Sequence, residues 1–170
     1  MKHFLLITLL LITDFLKAQE NIQTTSSFSI EGKVKSPYTF SFAKAGDFAS
    51  ISIDSVVIYN HLQQRKNVVK NLKGILLKDI LSKVEFDSPN AKLLNEFYIT
   101  CIASDDFKAV FSWNEIFNTE TGNKAMIITE KNGKKGAEMD DCIALLCPAD
   151  HATGRRFVKG LQKIIIERVK

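Results

Sequence analysis

Residues 142–147, Cys142-Ile143-Ala144-Leu145-Leu146-Cys147, form an unbroken apolar run closed by Pro148. The run is short for a helix and has no polar residue at alternate positions. It reads as a strand covered on both faces, of the kind found inside a sheet. The segments around it carry the other strand signature, alternation. Residues 28–35 alternate apolar and polar as a half-buried strand should, and Ser36-Pro37 ends them. Residues 48–59 are a second extended stretch with Ile51, Ile53 and Val57 on one face. Residues 97–103 and 107–112 flank the polar turn Ser104-Asp105-Asp106, which predicts a hairpin. Residues 125–129 are a further apolar run, and residues 161–169, with Ile164-Ile165-Ile166, are the last strand.

Helical spacing is rare by comparison. In residues 74–84, Leu77, Ile80, Leu81 and Val84 fall at i, i+3, i+4 and i+7, which predicts an amphipathic helix of about two to three turns. Residues 113–117 suit one further helical turn. The chain therefore reads as α+β, a mostly β mixed-sheet core with few short helices. No internal repeat or linker divides it, so residues 28–170 are expected to form one domain. About 150 residues bury roughly 68–70% of the unfolded surface, so disulfides are not required.

The first residues are a separate object. Lys2 and His3 precede the apolar run 4–12, and Leu16-Lys17-Ala18 offers a small residue for cleavage after Ala18. That order describes a secretory signal over residues 1–18. The run is too short to span a bilayer, which needs about 20 apolar residues. Nothing near it has the periodicity of a buried first strand or helix. The expected address is exported, periplasmic or secreted, with no membrane span after cleavage. Residues 19–27 are polar and read as a flexible leader.

Charge excludes one large class of partner. Removing residues 1–18 takes out Lys2, Lys17 and Asp14, which lowers the formal charge of +4 by one. No arginine-rich run or aromatic–basic interleaving accompanies so small an excess, so nucleic acid is not an expected partner. Three cysteines remain, Cys101, Cys142 and Cys147. Cys142 and Cys147 are five apart, on opposite faces of one strand, and do not bridge each other. Either Cys101 pairs with one of them or all three are buried thiols.

The order of the pieces resembles a known family. Phe28-x-Ile30-x-Gly32-x-Val34-x-x-Pro37 is similar to the opening of the molybdopterin-binding domain of the sulfite-oxidase family. Residues 74–81 resemble its G-V-P-L-R-D-L-L element with leucine for proline, and residues 103–107 its A-x-D-G-Y with aspartate for glycine. Residues 142–148 resemble its buried strand ending in proline, and residues 154–164 its closing G-R-x-V-K-x-L-x-x-I. The resemblance covers about residues 28–169 and implies that family's fold and, as cofactor, molybdopterin.

It also implies a cysteine thiolate ahead of the G-V-P-L element, because a soft ionisable sulfur holds molybdenum through its redox cycle. Residues 55–65 contain no cysteine, and Tyr59, Asn60 or His61 stands in its place. No metal site, no bound cofactor and no assigned catalytic residue are therefore expected. The basic segment Arg155, Arg156 and Lys159, next to Gly154, suits an oxyanion. His61, Arg65 and Asp106 complete the candidate ligand-binding set. The reading is a domain that has lost metal redox chemistry and serves a small anionic ligand or a periplasmic protein partner. The alternative is a working molybdopterin-dependent oxidoreductase with unconventional ligation, His61 foremost.

Other chemistry has no constellation. His151 stands alone in a loop, and no P-loop, G-x-S-x-G or G-x-G-x-x-G occurs. Asp105-Asp106 and Asp140-Asp141 read as water-facing pairs, and the lysine-rich turn 131–135 as a solubilising hairpin tip.

Overall fold

The computed structural model describes residues 22–169, and the expected signal at 1–18 lies outside them. Two sheets carry the fold. The first has the order β2 (Tyr38–Ser41), β1 (Ser27–Gly32), β11 (Leu161–Arg168), β5 (Phe97–Ala103), β6 (Lys108–Ser112). It is mixed, because β1 and β11 run parallel and the other pairs antiparallel. The second is antiparallel, with the order β10 (Val158–Lys159), β9 (Ala144–Leu146), β7 (Met126–Lys131), β4 (Arg65–Leu76), β3 (Ser50–Tyr59). The short β8 (Lys134–Lys135) hangs from β7.

The main core lies between the sheets. Phe28, Ile30, Ile99, Ile164 and Ile166 of the first sheet pack in one cluster with Ile75, Ile127 and Leu145 of the second. Helix α1 (Leu77–Leu81) adds Leu77, Ile80 and Leu81, each fully buried. Burying each such side chain contributes about 1.5–3 kcal/mol. A smaller cluster lies on the far face of the second sheet, where Met126 and Ile128 meet Val56, Ile58, Val69 and Leu72. Covering on both sides is what the apolar run at 142–147 demanded, and every residue of it is buried.

Several expectations need correction. The helix placed at 74–84 is only α1, since Ile75 and Leu76 end β4. Strand β4 itself went unread. Asn71 takes φ +50°, and Val69 and Leu72, three apart, enter the same apolar cluster, so the two-residue period is broken. The apolar run is strand only over Ala144–Leu146, because Cys142 turns at φ +42°. The lysine-rich tip is not wholly solvated, since Lys131 pairs in the interior with Asp141. Asp141 therefore does not face water, although Asp140 does. The described part of the leader is tied down. Ser104 Oγ donates to the Gln23 carbonyl at 3.0 Å, and the Ile143 N–H donates to the Thr25 carbonyl at 3.3 Å. Hairpin β5–β6 and helix α2 (Trp113–Phe117) stand where the sequence put them.

Candidate functional site

Three chain segments meet beside the tip of the β3–β4 hairpin: the tip itself, the start of β6, and the 3-10 turn Thr153–Arg156. Thr153 makes the junction. Its buried hydroxyl donates to the Val57 carbonyl at 2.8 Å and accepts from the Tyr59 N–H at 2.9 Å. These are the groups that an edge strand otherwise leaves open. Gly154 then lies so close that a Cβ there would stand 2.8 Å from the Tyr59 carbonyl oxygen. Only glycine lets the turn seat against β3 this way.

The junction bounds a cleft of ≈ 470 Å³ lined by Tyr59, Asn60, His61, Lys66, Phe107, Lys108 and Arg155, with Ile58 and Gly154. Its lining holds two lysines, an arginine and a histidine, and no carboxylate. The hairpin tip is rigid for an exposed loop. Asn60 Oδ1 accepts from the N–H groups of Leu62 and Gln64, and the Asn60 N–H donates to the Gln64 carbonyl.

The expected site residues divide between this cleft and other places. His61 and Arg155 line it together. Arg65 is exposed at the start of β4, outside the lining. Asp106 occupies the β5–β6 turn at φ +63°, one residue before Phe107. Lys159 lies over the Phe157 ring, 5.2 Å from its centroid. Lys66 and Lys108 are the cations that sequence reading missed: Lys66 follows Arg65 at the start of β4, Lys108 opens β6, and only the fold brings the two hairpins together.

Arg156 is spoken for. Its Nε donates to Asp150 at 2.7 Å, Nη2 to the other Asp150 oxygen, and Nη1 to Glu115 at 2.9 Å. The guanidinium rests on the Phe111 ring at 4.2 Å. The hydrogen bonds to Asp150, with Glu115 adding to them, raise its pKa against the effect of burial. Glu115 also belongs to the capping box of α2 with Ser112, so one carboxylate starts the helix and holds the arginine.

The donor set decides how far the resemblance to a molybdenum site goes. Residues 55–65 form the end of β3 and the hairpin tip and supply no thiol. The three cysteines are free thiols in the interior. Burial pushes the Cys101 thiol up to about 12, although Arg156 opposes it. Burial pushes Cys147 up to about 11, with Asp150 adding to the shift. Neither is a thiolate at neutral pH or reaches the cleft. Among the described residues, no group of three or more His, Cys, Asp or Glu could hold a metal ion. These residues do not fit a thiolate-held molybdenum.

No family model matches the chain, and no curated protein matches it. Solved structures do. The crystal structure of the sulfane dehydrogenase SoxCD from Paracoccus pantotrophus superposes with a TM-score of 0.61 at 14% identity. The match covers 88% of this chain and 41% of that one, so the chain spans about two-fifths of its neighbour's length. The fold is the expected one. At this identity the likeness is one of fold alone, an α+β arrangement of two sheets with few short helices. Among the described residues, no helix is long and apolar enough to cross a membrane.

Proposed function

We propose that this chain is an exported, molybdopterin-oxidoreductase-like domain that binds a small anionic ligand in the basic cleft and does not carry out thiolate–molybdenum redox chemistry. The observation that carries this reading is the cleft wall. Lys66, Lys108 and Arg155 surround it with His61, and no carboxylate lines it. A guanidinium gives an oxyanion two parallel N–H donors, and ammonium groups add charge without fixed direction. The lost thiolate removes the metal's anchor but leaves the anion-binding wall intact, so ligand binding can outlast redox activity.

The test is metal analysis by ICP-MS, joined to calorimetry with inorganic phosphate. The protein is made with its leader in a host that synthesises molybdenum cofactor and is purified from the periplasm. The expected result is a mature chain without residues 1–18, free of molybdenum, that binds phosphate more weakly as salt rises. Near-stoichiometric molybdenum would overturn the reading and return the chain to the oxidoreductases. Retention of residues 1–18 in the cytoplasm would overturn the export half alone.

A further inference from the structure

The hairpin β5–β6 has the basic cleft at its turn and a separate apolar groove at its open end. Lys108 opens β6 and lines the cleft, whereas Trp113 follows β6 and lines the groove. The groove has a volume of ≈ 340 Å³, and Leu81, Val84 and Leu94 contribute to its lining. Three half-buried aromatic side chains complete the apolar part: Trp113 and Phe117 of α2, and Phe86. Trp113 and Phe117 stack with ring centroids 5.0 Å apart, and Phe86 meets Phe117 at 6.0 Å with the two planes at 84°. The capping box of α2 holds one pair of rings, and the pairing of Phe86 with Val34 holds the third. The rings are therefore set before any ligand arrives, which lowers the cost of binding.

Half-buried rings alone are an ordinary flank of a core. Charge distinguishes this groove, because Glu85 is the one charged residue in its lining among the described residues. The other polar groups there serve their own loops. Ser82 Oγ donates to the Asp79 carbonyl, Ser88 Oγ to the Asn90 carbonyl, and Asn90 Oδ1 accepts from the Lys92 N–H. Lys35, which feels the charge of Glu85, is paired with Asp87 at 2.9 Å. Among the described residues no ion pair engages Glu85. Aromatic rings attract a cation, and an exposed carboxylate beside them complements its charge. We propose that this groove binds a small, free quaternary ammonium compound of the choline type. A primary ammonium is strongly hydrated and gains less from leaving water, whereas methyl groups on nitrogen suit an apolar lining. The volume sits at the low end of the range for small-molecule pockets, about 300–1,000 Å³, so it suits a whole small molecule. The groove shares no lining residue with the basic cleft, and the two proposals stand or fall separately.

Trp113 is the chain's only tryptophan, so intrinsic tryptophan emission reports on this groove. The full chain is titrated with choline and with 3,3-dimethyl-1-butanol, in which carbon replaces the charged nitrogen. Choline should bind about 10-fold more tightly than the neutral alcohol. Glu85→Gln, a change at an exposed side chain, should weaken choline about 3-fold and leave the alcohol unchanged. Phe117→Leu, which keeps apolar bulk without a π face, should remove most of the preference while the alcohol still binds, which shows that the groove is intact. Equal affinities in the unmodified protein would overturn the proposal and make this a plain apolar site. A preference untouched by both variants would overturn it too, since the charge would then be read elsewhere. Emission that ignores choline at millimolar concentration but shifts with phosphatidylcholine vesicles would overturn it in favour of a membrane surface. Emission that responds to none of the three would overturn it outright.

Discussion

The turn Thr153–Arg156 has one side in the interior and one in the cleft, and each side carries an arginine. Arg156, 21% exposed, gives its fork to Asp150 and Glu115 and lies on Phe111. Arg155 is exposed and lines a cleft that has other cations and no carboxylate in its wall. Adjacent residues of one type thus play opposite parts. A guanidinium enclosed by carboxylates fixes geometry, joining the turn to α2 and to the 148–152 loop. A guanidinium left to water costs the fold little and stays available to a ligand. The general lesson is that a basic run names the charge present and says nothing about which charges are free.

The comparison breaks most visibly at Arg156. Arg156→Ala leaves Asp150, whose side chain is 14% exposed, and Glu115 without their cation. Stranding a largely buried charge in this way should destabilise the protein by about 3 kcal/mol. Urea denaturation measures it. Arg156→Lys restores the charge but not the planar fork, and should recover only part of the loss. A cost below about 0.5 kcal/mol, the range of ordinary surface changes, would mean that water already serves both carboxylates and that the two arginines do not differ.

Arg155 should behave in the opposite way. Arg155→Ala is expected to keep stability within about 0.5 kcal/mol of the parent. Phosphate affinity should fall about 10-fold, as loss of a charge-assisted bidentate contact would produce. Calorimetry beside a urea melt gives both numbers on one sample. A variant that binds phosphate unchanged would move the anion site to another part of the surface. A variant that unfolds would show that Arg155 has a structural duty its exposure does not suggest.

The two arginines also show where sequence reading stops. Alternation in residues 97–112 is legible because β5 buries every second side chain, and only residues 104–107 separate β5 from β6. Leu77, Ile80, Leu81 and Val84 were legible as one face and are all buried. Strand β4 was not, because Asn71 and the register shift at Lys73/Gly74 break its period. Lys131 and Asp141 were misread for a related reason. They are ten apart and meet only because the 136–141 segment folds back over the far face of the second sheet. At the cleft, His61 and Arg155 could be named from the family resemblance. Lys66 adjoins Arg65 and Phe107 closes the 103–107 match, but nothing local shows that this hairpin tip meets the edge of the other sheet, where Lys108 lies. Arg156 could be named, but its partner Glu115 is 41 residues away.

The smallest expected effect sharpens the comparison from the interior side. Cys101 and Cys147 both feel the field of Arg156, which favours the thiolate, yet burial raises them to about 12 and about 11. Both thiols therefore keep their protons in the folded protein over a range where the unfolded chain releases them. A raised folded pKa means that the contribution to stability is complete below the unfolded value, which is 9.0 for a free thiol here. It is lost as pH rises through the folded values, because the unfolded state then binds fewer protons. The loss is at most about 1.4 kcal/mol per pH unit for each thiol. Tyrosines and lysines titrate in the same range, so the informative quantity is a difference between proteins. Cys101→Ala should flatten the alkaline fall in stability above pH 9 by about 1 kcal/mol per unit, read from urea melts across the range. An unchanged slope would mean that Cys101 ionises within the fold. The guanidinium of Arg156 would then be acting on the core thiol more strongly than burial does, and its charge would not be fully committed to Asp150 and Glu115.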